Sequence, residues 1–206
     1  MAYQNLHGNL ILHLERDTMI LEALLTTIDA DGGVNLAPMG PVVDRTMSRL
    51  TLRPFQTSRT YANLKRTGQG VMHVTDDVEL LARAAVDRLV VSPELKPTPN
   101  GQGWYLADAC RWYAFRVVSL DDRQERTEIV AEVTDRGTVR EFFGFNRAKH
   151  AVIEAAILAT RLHLHPREKV LSDFANLKIL VDKTGGEQER RAFDFLQEFV
   201  ETTNVG

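Results

Sequence analysis

Cysteine is almost missing from this sequence: among 206 residues there is only Cys110. No internal disulfide can form, and a reducing cytoplasm is the expected setting. Cys110 stands within the apolar run LADACRWYAF, so a small buried hydrophobe is its expected role, not a nucleophile. Long apolar runs are missing as well. Nothing approaches the ~18 residues that a membrane-spanning helix needs, and no membrane partner is expected. The opening MAYQNLHGNLILHLERDTMIL has neither a basic n-region nor a small-residue cleavage site, so a secretory signal is not expected. Metal-site spacings are absent too. There is no HExxH or CxxC, and His163 and His165, two residues apart at a helix end, face different ways. A GxSxG elbow is lacking, which gives no support to a hydrolase triad around Ser58.

Net charge is −3, which argues against general nucleic-acid binding. A local absence says more. From Arg45 through Thr75 there is not one Asp or Glu, yet six basic residues occur: Arg45, Arg49, Arg53, Arg59, Lys65 and Arg66. A bound anion needs only a pocket of this kind, whereas a nucleic acid would want a broader face. On charge alone, a solvated basic edge explains the stretch equally well.

What is present is a series of strands followed by helices. MILEALLTTI (19–28), the DADGG turn and VNLAPMGPVV (34–43) read as a hairpin, with Pro38 and Pro41 marking an edge, a bulge or a departure from the sheet. SRLTLRPF is a third strand. SRTYANLKRTG is a short helix capped by Ser58, with Tyr61 and Leu64 on one face and Gly68 as its stop. GVMHVTDD is a fourth strand, and Asp76 or Asp77 caps a helix in VELLARAAVDRLV. SPELKPTPNGQG (92–103), with three prolines and two glycines, reads as a loop. WYLADACRWYAFRVVSL and RTEIVAEVTDRG read as two further strands, the second with Ile129, Ala131 and Val133 on one face. Three helices follow, stopping at Pro166, at Gly185–Gly186 and at the end of the chain. This order predicts an α+β fold with a mainly antiparallel sheet or barrel.

The start of the SRTYANLKRTG helix is the best candidate site. A helix N-terminus offers unpaired N–H groups and partial positive charge. Thr57, Ser58 and Thr60 add hydroxyls, and Arg53 and Arg59 add forked cations suited to phosphate. A capping serine followed by surface arginines is the plainer alternative. A second helix start, FNRAKHAVIEAAILATR, has Asn146 as cap and Arg147, Lys149 and His150 in its first turn. Those cations oppose the helix dipole at a cost of a few tenths to about 1 kcal/mol each, which a nearby anion would relieve. The alternative is that they extend into water, Lys149 foremost. His73, mid-strand, is expected to be a satisfied, semi-buried histidine.

The segments NLAPMGPVV, LRPFQTSRTYANLKRTGQGVMHVTDD and FNRAKHAVIEAAILATR resemble a domain-of-unknown-function family within the flavin-reductase-like, FMN-binding split β-barrel superfamily. The resemblance runs from about Met19 to the last helix. It implies a mainly antiparallel split β-barrel with short inserted helices and a C-terminal three-helix extension. The implied domains are an N-terminal extension (1–18), an FMN-binding barrel (19–145) and a helical region packed on it (146–206). It also implies FMN as cofactor, in a groove near the interface of a homodimer. By the same analogy, Arg53, Thr57, Ser58, Arg59 and Thr60 hold the FMN phosphate. Ala37, Pro38, Met39 and Gly40 run beside the isoalloxazine ring, and His73, Thr75 and Asp76 follow the ribityl chain or phosphate. Asn146, Arg147, Lys149 and His150 close the pocket, from the same or the partner subunit. The implied function is a flavin-dependent oxidoreductase on an unidentified small molecule, with a link to pterin or one-carbon chemistry. The alternatives are a flavin carrier or sensor without turnover, or a barrel for another phosphorylated ligand. No nicotinamide-binding fingerprint is visible, and no catalytic side chain is nominated.

Overall fold

A computed structural model describes residues 18–203. Its first four strands are β1 (Thr18–Ile20), β2 (Ala23–Ile28), β3 (Val34–Met39) and β4 (Val42–Asp44). Together they form one bent hairpin whose register never slips. Thr18 faces Asp44, Ile20 faces Val42, Ala23 faces Met39 and Ile28 faces Val34. The bend falls at Leu21–Glu22 opposite Gly40–Pro41, where the Leu21 N–H donates to the Pro41 carbonyl at 3.1 Å. Pro38 is tolerated because β3 is an edge strand, paired with β2 alone among the described strands.

The remaining strands of the main sheet are β5 (Arg49–Leu52), β6 (Gln69–Val74), β9 (Arg111–Asp121) and β10 (Glu128–Thr138). The eight strands lie in the order β1-β4-β5-β10-β9-β6-β2-β3, each antiparallel to its neighbours. The two halves of the bent hairpin thus stand at opposite ends of the order. A chain continuous through both requires the sheet to curl round, and the result is a half-barrel. Register shifts between Val130 and Ala131 and between Val133 and Asp135 sharpen the curl. Alternation directs Leu25, Leu50, Leu52, Met72, Tyr113, Phe115, Ile129 and Ala131 into one core. Helix α1 (Arg59–Thr67) adds Tyr61 and Leu64 to it.

Two segments differ from the sequence reading. The predicted loop 92–103 contains β7 (Leu95–Pro97), which pairs with β8 (Trp104–Leu106) as a separate two-stranded hairpin. The single strand expected over 104–120 is therefore two, interrupted at 107–110. Tyr105 stacks on Trp112 at 5.1 Å between ring centres, which fixes the small hairpin where local propensity would leave a loop. The helix expected over 78–90 also ends early, as α2 (Val78–Ala85); Asp87 adopts a positive φ of 54° just beyond it.

The chain divides into two compact units. Among the described residues, the sheet unit comprises 18–74, Leu95–Ala107 and Arg111–Val139; the helical unit comprises Thr75–Glu94, Asp108–Cys110 and 140–203. Within the helical unit, α3 (Arg147–Ala159) packs against α2, α4 (Arg167–Thr184) and α5 (Glu187–Thr202). Its buried face is made of Ala148, Ala151, Val152, Ala155, Ala156 and Ala159, small side chains that let neighbouring helices approach closely. Phe174 and Phe193 meet at 5.5 Å between α4 and α5. No helix among the described residues is long and apolar enough to cross a membrane. Of the expected N-terminal extension (1–18), all but Thr18, the first residue of β1, lies outside the described residues.

Candidate functional site

Helix α1 begins as the sequence predicts. Ser58 Oγ accepts the Tyr61 N–H at 3.2 Å and donates to the Phe55 carbonyl at 2.8 Å, so this hydroxyl is occupied by capping. The backbone N–H groups of Arg59 and Thr60 meet no acceptor among the described residues, and neither does the hydroxyl of exposed Thr57. Arg59 pairs with Asp29, and Arg53 with Glu128 at 3.0 Å. Both guanidinium groups are more than half exposed, so these ion pairs are individually weak and an anion could draw the arginines away.

The inner side of α1 carries a polar network that the sequence reading missed. Asn35 Nδ2 donates to Thr27 Oγ1 and to Thr60 Oγ1, each at 3.2 Å. Asn63 Nδ2 donates to Thr27 Oγ1 at 3.0 Å and to Asp29 Oδ1 at 2.8 Å. Thr27, Asn35, Thr60 and Asn63 are all buried. Burial works against the Asp29 charge, but the Asn63 amide and the Arg59 guanidinium outweigh it and hold the carboxyl below its usual value. The network fixes the helix start against the β2–β3 hairpin. One local signal existed: Thr60 and Asn63, three apart, share a helix face.

Of the other candidates in the sheet unit, Ala37, Pro38 and Met39 are half-buried on edge strand β3, and Gly40 is exposed at the bend. A Cβ on Gly40 would come within 3.0 Å of Cγ2 of the exposed Ile20, which would have to shift by a few tenths of an ångström. His73 departs from expectation: it is completely buried, on the sheet face it shares with Val71 and Trp112. Its Nδ1 lies 3.0 Å from the Leu24 carbonyl and therefore carries the proton, while Nε2 has no partner. Burial pushes its pKa down to about 4, against the weaker pull of that carbonyl, so the ring is neutral.

The candidates in the helical unit form a second cluster. Asp76 is buried and accepts from Arg140 Nη2 at 2.5 Å and from the Phe143 N–H at 2.8 Å. The Arg140 bond is the main reason that its carboxyl falls to about 2. Lys149 does not extend into water as expected. It is largely buried, pairing with Glu189 at 2.8 Å and donating to the Asp76 carbonyl at 2.6 Å. Asn146 caps α3 through the N–H groups of Ala148 and Lys149 and donates to the Thr184 carbonyl. Thr75 Oγ1 accepts the Asp77 N–H at 3.1 Å. Only Arg147 and His150 of this group are exposed. Cys110 is buried as expected, and burial raises its thiol pKa.

A cavity of about 330 Å³ lies at the opposite end of α1, lined by Thr26, Thr67, Gln69, Gly70, Gln102 and Trp104 among others. Nothing in the sequence reading pointed to it, because its wall includes the unrecognised β7–β8 hairpin.

Against known proteins, residues 21–140 match the family described as protein of unknown function (DUF447) N-terminal domain, and residues 146–198 match its companion, protein of unknown function (DUF447). Among solved structures, an FMN-bound protein of this family from Methanosarcina mazei superposes with a TM-score of 0.73 at 27% identity, over 87% of this chain and 94% of that one. A flavin reductase domain protein from Arthrobacter sp. FB24 shares the fold, with a TM-score of 0.51 at 17% identity over 66% of this chain and 87% of that one. No curated protein matches. With more than half of its length matched in one continuous stretch, the chain belongs to the DUF447 family.

Proposed function

We propose that this protein binds FMN and acts as a flavin-dependent oxidoreductase in the cytoplasm. The observation that carries the reading is the likeness, over nearly the whole chain, to the FMN-bound family member from Methanosarcina mazei. The residues present suit the group. Two open N–H donors at the start of α1, the free Thr57 hydroxyl and the loosely held Arg59 and Arg53 form a donor set that a phosphate satisfies. In this reading Ala37 to Gly40 lie beside the ring system, where edge strand β3 has backbone groups that no described strand pairs. FMN when bound supplies hydride transfer; the chain's own part is to bind it, orient it and leave one ring face open for a second molecule. The family resemblance makes a pterin the first acceptor to try.

The test is titration with FMN and with riboflavin, followed by absorption after desalting. Thr57→Ala and Arg59→Ala each remove phosphate contacts, a charge-assisted one being worth about 1.5–3 kcal/mol. FMN affinity should fall toward that of riboflavin, while riboflavin affinity stays unchanged. Lys65→Ala, at the far end of α1 and paired with Asp122, should bind FMN like the parent. If both helix-start variants also bind like the parent, the phosphate lies elsewhere. Anaerobic reduction of the bound flavin by NADH or NADPH, then reoxidation by a pterin, tests turnover; flavin that stays oxidised under either reductant overturns the oxidoreductase reading.

A further inference from the structure

The stretch from Arg45 to Thr75 contains no carboxylate, so its cations can pair only with acids borrowed from elsewhere in the chain. Three such pairs lie on or beside α1: Arg53 with Glu128, Arg59 with Asp29 and Lys65 with Asp122. The three carboxylates are not held alike. The side chain of Glu128 is 55% exposed and that of Asp122 is 33% exposed, but that of Asp29 is only 16% exposed. The least mobile acid of the three is therefore the one set against the start of the helix.

Asp29 does not depend on Arg59 for its place. Asn63 Nδ2 donates to its Oδ1 at 2.8 Å from within the buried network, and the same amide also donates to Thr27. Arg66 donates to the carbonyl of Ile28, the residue before Asp29, and its charge acts on the carboxylate. These partners remain when Arg59 leaves. Arg59 is the exchangeable one: its side chain is 67% exposed and bonds to Asp29 through Nη2 alone, so its release costs little. Arg59 is also the first residue of α1, where its own N–H and that of Thr60 meet no acceptor among the described residues. A seated carboxylate and an incoming phosphate thus contend for one guanidinium.

We propose, resting on the FMN reading above, that Asp29 is a built-in competitor for the phosphate: it occupies Arg59 until FMN arrives, and this exchange sets how far the site prefers FMN to riboflavin. Riboflavin has no phosphate and leaves the Arg59–Asp29 pair intact. FMN must break that pair, and it brings its own negative charge close to a carboxylate that stays ionised. Preference is a difference between two affinities, and Asp29 lowers only one of them. FMN is therefore held less tightly than the donors at the helix start would allow by themselves, which keeps it exchangeable.

The test is titration of the full chain with FMN and with riboflavin, for Asp29→Asn, Arg59→Ala and the two combined. An asparagine oxygen still accepts from Asn63, so the circular dichroism of Asp29→Asn should match the parent. Asp29→Asn should tighten FMN about fivefold, the upper end for an exposed ion pair, and leave riboflavin unchanged. A gain of affinity is not what structural damage produces. In the Arg59→Ala background the same substitution should change FMN affinity by less than about twofold, because the contested cation is gone. Asp29→Asn that weakens FMN binding, or leaves it unchanged, overturns the proposal. So does a gain that persists undiminished without Arg59, since the carboxylate then acts by repulsion alone. These outcomes leave the FMN reading standing. Arg59→Ala that binds FMN like the parent overturns the role of Asp29 as well, and only if Thr57→Ala is equally silent does the phosphate site itself fail.

Discussion

His73 has one ring nitrogen satisfied and one orphaned, and its burial has a measurable consequence. The folded-state pKa is near 4 against an ordinary 6.5, so the unfolded chain takes up a proton in this range that the folded chain refuses. The sign follows. The contribution is whole above pH 6.5 and is lost as pH falls toward 4, by on the order of 3 kcal/mol across the window. His73→Met removes both the titration and the unpaired Nε2. Its melting temperature should vary less with pH between 6.5 and 4 than that of the parent; an unchanged slope would place the acid sensitivity elsewhere. The sequence identified His73 as a mid-strand residue but not as fully buried, because burial is decided by what covers the sheet. Ser58 was legible for the opposite reason: a cap is a bond to a residue three positions away.

At the scale of elements, β6 holds a position that admits no added atom. Gly70 on β6 stands against the ring of Phe115, and a Cβ there would lie 2.6 Å from Phe115 Cζ. Phe115 is fully buried and cannot retreat. Gly70→Ala should therefore cost about 1–3 kcal/mol by overpacking, measured as a lower urea midpoint at unchanged slope. In the helical unit the sensitive element is the stretch leading into α3. Arg140→Ala leaves the Asp76 carboxylate buried without its main counter-charge. Arg140 itself is about a third exposed, so the loss should be about 2–3 kcal/mol, somewhat below that of a fully buried pair. Adding Asp76→Asn to that variant should recover part of the loss in thermal melts; no recovery would mean that Arg140 acts through Asp108 and the backbone. Arg140 did not stand out in the sequence, because its ion pair joins positions 64 residues apart.

For the whole molecule, the α+β order and the antiparallel arrangement were legible from alternation, turns and helix stops. The closing of the half-barrel was not. It depends on β1 pairing with β4 and β2 with β3 in one unbroken register, a relation between strands that no single window contains. The bend at Gly40–Pro41 was marked by its glycine and prolines, yet those residues fit equally well with a chain leaving the sheet. The β7–β8 hairpin was hidden by its own composition, since prolines and glycines suit loops and hairpin ends alike.

The unbroken hairpin also governs how the sheet comes apart. Its two halves flank the whole strand order, so neither end can peel away as an ordinary edge would without pulling on the other through the covalent bend. Local opening should therefore be scarce there, and slow exchange of backbone hydrogens for deuterium should report it. Amides bonded between β1 and β4 and those between β2 and β3 should share one opening free energy and respond alike to low denaturant. Separate values would mean that the bend at Gly40 is a hinge and that the barrel can unlatch from one side.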